Sequence, residues 1–188
     1  MRIKSADLLG ELVDDTKQMM KTVEREFASL SEEEILMKPD KNSWSIGECL
    51  EHLNLFADYY HPAIRKAMDK RGPGAASEEF KSGVVGNFFA KSMLPKKKGL
   101  KMGAPSDKNP AKTGVPGNVI KRFLNHQKEL LSLLGSARKH DLNKIKVPIS
   151  VSRMIKFKLG DVLRIVIYHN QRHIVQAVKV RSSINQED

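Results

Sequence analysis

The chain has 188 residues, 40% hydrophobic and 29% charged, with a formal net charge of +11. That length supports one well-packed core and is short for two, so residues 1–188 read as a single domain. No apolar run is long enough to span a membrane and the first residues lack a signal-peptide core; with Cys49 as the single cysteine, the composition excludes an internal disulfide and points to a reducing, cytoplasmic setting.

Apolar residues at three-to-four spacing predict a first helix over about 5–30, through Leu8, Leu12, Met19, Val23 and Phe27. A turn region containing Pro39 follows. The second helix opens at Ser45-Ile46-Gly47-Glu48, the Ser-x-x-Glu pattern of a capping box, with Trp44 placed to staple onto Leu50 or a near neighbour. It carries an inward stripe of Cys49, Leu53, Phe56, Tyr60, Ile64 and Met68 to about residue 70, and Pro62 predicts a kink or break near Tyr59.

Residues 71–117 are rich in Gly, Pro and Lys, which opposes any long element. A short helix around 84–90 is expected to dock Phe88 and Phe89 on the remainder, and Lys96-Lys97-Lys98 reads as part of a mobile crossover loop or lid. A third helix is predicted over about 118–139, with Phe123, Leu130 and Leu134 inward, and an extended basic connection including Val147-Pro148-Ile149 leads to a fourth over about 159–182.

The positive charge is local. Residues 1–70 carry ten basic against fourteen acidic side chains, whereas 91–112 carry seven lysines against Asp107 and 138–164 eight basic residues against Asp141 and Asp161. Without interleaved aromatics to stack bases, these runs read as solvated connections ahead of a nucleic-acid surface.

Tyr168-His169-Asn170-Gln171-Arg172-His173 lies in the fourth helix. A spacing of four stacks His169 and His173 on one side of a helix, close enough to share an ion. Val162, Val166, Ala177 and Val180 continue that face inward. A third imidazole is available from His52, at the edge of the second helix's inward stripe, if those two helices are neighbours. Three neutral imidazoles suit a divalent transition ion, zinc or nickel, and leave coordination positions open.

The block Trp44-Ser45-Ile46-Gly47-Glu48-Cys49-Leu50-Glu51-His52-Leu53 resembles the W-S-x-x-E-x-x-x-H-L signature of the DinB/YfiT-like superfamily. Leu159-Gly160-Asp161, followed by His169 to Gln176, resembles that superfamily's L-G-D…H-x-x-x-H-x-x-Q helix. The resemblance implies an all-α, up-up-down-down four-helix bundle, often a homodimer; the long irregular insertion 71–117 between helices two and three departs from the family's pattern. It also implies a metal held by His52, His169 and His173.

Glu48 and Gln127 are candidates for supporting positions around that metal, although the capping box already accounts for Glu48 and an ordinary buried hydrogen bond would equally satisfy Gln127. Cys49 reads as a small buried hydrophobe ahead of a soft fourth ligand. Tyr168 and Arg172 are expected to turn away from the metal, toward packing or a dimer contact, and His140 suits the C-terminal dipole of a helix.

The expected function is a metal-dependent enzyme that activates water or a low-molecular-weight thiol against a small-molecule substrate, as a hydrolase or a thiol S-transferase. The competing readings are a helical metal-binding or stress-response module without turnover, and, with less weight, a basic nucleic-acid-binding protein. No separate nucleophile or general base is identifiable.

Overall fold

Four long helices carry the architecture: α1 (Ser5–Phe27), α3 (Ile46–Arg71), α6 (Val119–Ala137) and α7 (Leu159–Ile184). A computed structural model provides the coordinates and describes residues 1–74, 76–95, 105–150 and 152–184. Smaller elements are α2 (Glu32–Leu36), α4 (Val84–Met93), α5 (Pro110–Thr113), and the strands β1 (Arg2–Lys4), β2 (Glu79–Lys81), β3 (Lys146–Ile149) and β4 (Ser152–Lys158). Lys96-Lys97-Lys98, expected in a mobile crossover loop or lid, lies outside the described residues.

The helices form a four-helix bundle in which α3 packs between α6 and α7, and α1 closes the ring against the same two. Side-chain pairs give their directions. Glu51 meets Arg122 and Arg65 meets Glu129, so α3 and α6 run parallel. Trp44 meets His173 while Phe56 meets His169, so α7 is antiparallel to α3. Asp15 bonds Gln171 and Glu26 pairs with Arg181, which makes α1 parallel to α7.

The order is therefore up-down-down-up, correcting the up-up-down-down order implied by the resemblance. The connections explain it. Those at 28–45 and 138–158 reverse the chain locally, and only the long stretch 72–118 carries it back along the bundle to start α6 parallel to α3.

Each long helix buries an apolar stripe. Leu8, Leu9 and Phe27 from α1 meet Leu50, Leu53 and Ile64 from α3, Phe123 and Leu130 from α6, and Leu163 and Ile167 from α7, in one continuous core. Each such side chain contributes about 1.5–3 kcal/mol on burial. Pro62, expected to kink or break the helix near Tyr59, lies inside an unbroken α3. Losing one backbone hydrogen bond is offset by Tyr60, Ile64 and Met68, which bury on both sides of it.

The capping box at Ser45 forms as predicted. Glu48 N–H donates to Ser45 Oγ at 3.1 Å and Ser45 N–H donates to Glu48 Oε2 at 2.9 Å. A second box, Ser31 with Glu34, starts α2 inside the stretch read as a turn region. The C-terminus of α3 stops at Gly72, whose φ of 69° admits a residue without Cβ.

Two antiparallel pairs, β1–β2 and β3–β4, were not anticipated as sheets. The first sets Ile3 opposite Phe80, whose buried ring lies against Gly160; a Cβ there would stand 2.5 Å from it. The expected short helix is α4, and it docks on α7. Of its two aromatics, Phe89 packs inward and Phe88 is exposed.

The docking of α4 is polar at its base. Asp161, on the first turn of α7, accepts from Ser82 Oγ and from Gly83 N–H at 3.0 Å. Arg164, 2% exposed, donates to Asn87 Oδ1 and to Ser82 Oγ, each at 3.1 Å, and lies 3.5 Å from Asp161 Oδ1. Gly86 leaves no space for a side chain beside Asp161.

Candidate metal centre

The capping box fixes where α3 starts, and His52 follows it by about one turn and a half along the helix. Across the core, α7 presents His169 and His173 from consecutive turns. The three rings converge, with centroids 5.1 Å apart for His52–His169 and 4.7 Å for both His52–His173 and His169–His173. One ring nitrogen from each lies within 4.8 Å of the other two.

The hydrogen bonds around the rings set their tautomers. His52 Nδ1 stands 2.6 Å from the Lys108 carbonyl oxygen, so it must donate, and its Nε2 keeps a lone pair. His173 Nδ1 stands 3.0 Å from Gln176 Oε1 in the same sense. Both outer nitrogens are thus occupied as donors. His52 Nε2 faces His169 Nε2 at 3.3 Å, which a shared ion or one proton can bridge. Outer N–H groups held by oxygen with inner lone pairs converging is the arrangement imidazole ligands adopt around a metal, so the donor set fits a divalent ion.

All three histidines are buried. Burial, opposed in part by the bond to Lys108, lowers the pKa of His52 to about 4. Burial followed by the charge of His52 lowers that of His173 to about 3. Burial, with His173 and His52 close by, brings His169 well below its ordinary value. These imidazoles are neutral at physiological pH, the form that ligates.

A stability consequence follows with a definite sign. The unfolded chain takes up these protons near pH 6.5, and the folded chain resists them. The metal-stripped protein is therefore expected to hold its full stability above about pH 6.5 and to lose it progressively as pH falls toward the folded values of about 4 and about 3. Urea midpoints measured between pH 7.5 and 5 check this; a midpoint that rises on acidification would contradict it.

The triad lies on the wall of a cavity of about 520 Å³. Phe56, Phe89, Met93 and Phe157 give that wall its apolar character, while Asn170, Arg172 and Gln176 supply polar groups. Phe56 packs 4.8 Å from His52 and 4.6 Å from His169. Trp44, expected to staple onto Leu50 or a near neighbour, packs against the core and also reaches the imidazoles. Its indole stacks on His173 at 5.7 Å and meets His52 at a tilt, 4.8 Å away, because the residue before the cap sits beside the turn that carries His52.

The other candidates separate cleanly. Glu48 bonds the cap and Lys38 Nζ at 2.7 Å, which accounts for its carboxylate without an imidazole partner. Gln127 is buried and accepts from Asn170 Nδ2 at 3.1 Å, so it reaches the cavity through Asn170 and not through a histidine. Cys49 is buried outside the triad, and burial pushes its thiol pKa up. Tyr168 turns away, under the Arg164 guanidinium at 5.5 Å.

Arg172, expected to turn away, lines the cavity and packs on α4 by donating to the Ser92 carbonyl at 3.3 Å. His140 Nδ1 donates to the Ser136 carbonyl near the end of α6, which fits its expected position. Sequence reasoning missed the Lys108 carbonyl, which carries no side-chain signal. Gln176 was visible as the residue one turn beyond His173.

A family model described as the DinB superfamily matches residues 15–177. The chain is 24% identical over 161 residues to "Uncharacterized protein YuaE" of Bacillus subtilis (strain 168), covering 85% of this chain and 90% of that protein. Its fold is similar to that of YfiT from Bacillus subtilis, described as a probable metal-dependent hydrolase with an unusual four-helix bundle topology. The TM-score is 0.59 at 8% identity, over 94% of this chain and 87% of that one.

Proposed function

We propose that this chain, which belongs to the DinB superfamily, is a metal-dependent enzyme acting on a small molecule bound in the cavity beside His52, His169 and His173. The observation that carries this is the convergence of three buried, neutral imidazoles on the wall of a mostly apolar cavity. A divalent ion held there supplies Lewis acidity and makes water or a thiol a nucleophile at neutral pH.

The remaining work falls to the chain itself. The Lys108 carbonyl and Gln176 fix the His52 and His173 rings. Phe56, Phe89, Met93 and Phe157 exclude bulk water from the reacting centre, and Arg172 offers a cation to a polar end of the substrate. Hydrolysis is the reading we favour, in keeping with what YfiT is described as. Transfer of a low-molecular-weight thiol is the alternative outcome, since an ion held by the same three histidines would also bind a thiolate.

The test is turnover of chromogenic esters and amides by protein loaded with zinc or nickel, run beside a thiol and an electrophilic acceptor. Metal-dependent turnover that disappears in His173→Ala upholds the proposal. Equal rates with and without metal across both screens would overturn it and favour the module without turnover.

A further inference from the structure

A second group of ligand-type side chains lies on the α3/α6 seam and takes no part in the triad. Asp58 and His61 are three residues apart on α3; His126 and Glu129 are three apart on α6. That spacing puts each carboxylate and imidazole on one side of its helix, and the parallel packing sets the two pairs face to face. A carboxylate and a histidine at i and i+3 on neighbouring helices is how helix bundles build metal sites in their interiors.

The distances are those of a site slightly open. His61 Nδ1 is 3.1 Å from Glu129 Oε2, and His126 Nδ1 is 4.0 Å from the same oxygen. His126 Nε2 is 3.3 Å from Asp58 Oδ1, without the alignment of a hydrogen bond. One donor atom from each of His61, His126 and Glu129 lies within 4.8 Å of the others. Zinc ligated at about 2.0–2.1 Å separates its tetrahedral ligands by roughly 3.3 Å, so small side-chain rotations close the set once the proton that His61 Nδ1 donates to Glu129 has moved to Nε2.

Two observations argue that the histidines are not merely packed. The His61 side chain is 1% exposed, and its Nε2 has no hydrogen-bond partner; His126 Nε2 is likewise buried without one. Burial also lowers the pKa of both, opposed for His61 chiefly by Glu129 and for His126 chiefly by Asp58, which leaves neutral imidazoles with lone pairs.

The carboxylates now face guanidinium groups, Glu129 facing Arg65 at 2.6 Å and Asp58 facing Arg122, which also bonds Glu51 at 2.7 Å. Arg65 is half exposed, so its head can turn to water when a cation takes its place. We propose that His61, His126 and Glu129 form a second divalent transition-metal site that ties α3 to α6, independent of the three-histidine centre. Two imidazoles and a carboxylate make a nitrogen–oxygen set suited to zinc and its neighbours.

Zinc titration of the metal-stripped full chain against a competing chromogenic chelator tests this. Two equivalents are expected for the wild type and one for His52→Ala/His173→Ala. One is also expected for His126→Gln, with Glu129→Gln as the partly exposed second variant should His126→Gln fold poorly. In the triad variant, zinc should still raise the urea midpoint, and adding His126→Gln should abolish that rise. A single wild-type equivalent that vanishes with His52 and survives His126→Gln would overturn the proposal. A single equivalent with the opposite dependence would uphold it and count against the triad as the metal centre.

Discussion

Replacing His52 with alanine is expected to lower zinc affinity at the triad by more than about 100-fold, beyond the 10–100-fold typical of losing a residue that only supports a ligand. The reason is geometric. His52 is the only one of the three imidazoles that comes from α3, and its removal leaves two ligands on a single helix. A saturating ion at 1,000 times its dissociation constant stabilises the fold by about 4 kcal/mol, and most of that increment should disappear in the variant. The comparison belongs in a His126→Gln background, so that only the triad is read. Turnover should fall with affinity and recover only in part at high metal concentration. An unchanged zinc-dependent shift in the urea midpoint would remove His52 from the ligand set.

The metal-free variant should still fold. It loses the donor to the Lys108 carbonyl, worth about 1–3 kcal/mol if that oxygen stays buried and unpaired. Small domains hold a total of about 5–15 kcal/mol, so this is tolerable. Far-UV circular dichroism separates a lost site from a lost fold.

The second large effect concerns the wall of the cavity. Arg164→Leu is expected to destabilise the protein by about 3–5 kcal/mol, because it leaves the Asp161 carboxylate buried without its guanidinium. The double variant Asp161→Asn/Arg164→Leu should recover at least half of that loss, since the stranded charge goes with it. A cost below about 1 kcal/mol, the ordinary value of an exposed ion pair, would mean that the pair is not holding α4.

The consequence reaches the site through α4. Asn87, Phe89, Ser92 and Met93 lie on that helix. Asn87 meets Arg164, the Ser92 carbonyl accepts from Arg172, and Phe89 and Met93 line the cavity. A loosened α4 should raise KM for an apolar substrate while zinc affinity stays within about threefold of the wild type, because α3 and α7 hold the imidazoles without it. Parallel loss of zinc affinity would show that α4 also holds the triad.

Much of this molecule is written in local pattern. The spans of α1, α3, α6 and α7, the capping box at Ser45 and the inward face of His169 and His173 follow from three-to-four spacing and cap chemistry, which involve residues within a turn of one another. Those interactions are decided before the chain meets itself. Pro62 shows the limit of such reasoning: the local rule allows a kink or a break, and burial of the stripe on either side keeps the helix unbroken.

Direction was not legible, because apolar periodicity is the same whether a helix runs up or down. Only the span of the 72–118 connection and the packing of pairs such as Arg65 with Glu129 set the up-down-down-up order. That order makes α7 antiparallel to α3 and so brings His52 to His169 and His173. It also makes α6 parallel to α3, which aligns His61 with His126 and Glu129. The sequence by itself determined which imidazoles exist and which faces they occupy. The tertiary structure decided which of them meet, supplied the Lys108 carbonyl that orients one, and placed Arg172 in the cavity, since contacts between residues more than fifty positions apart carry no local signature.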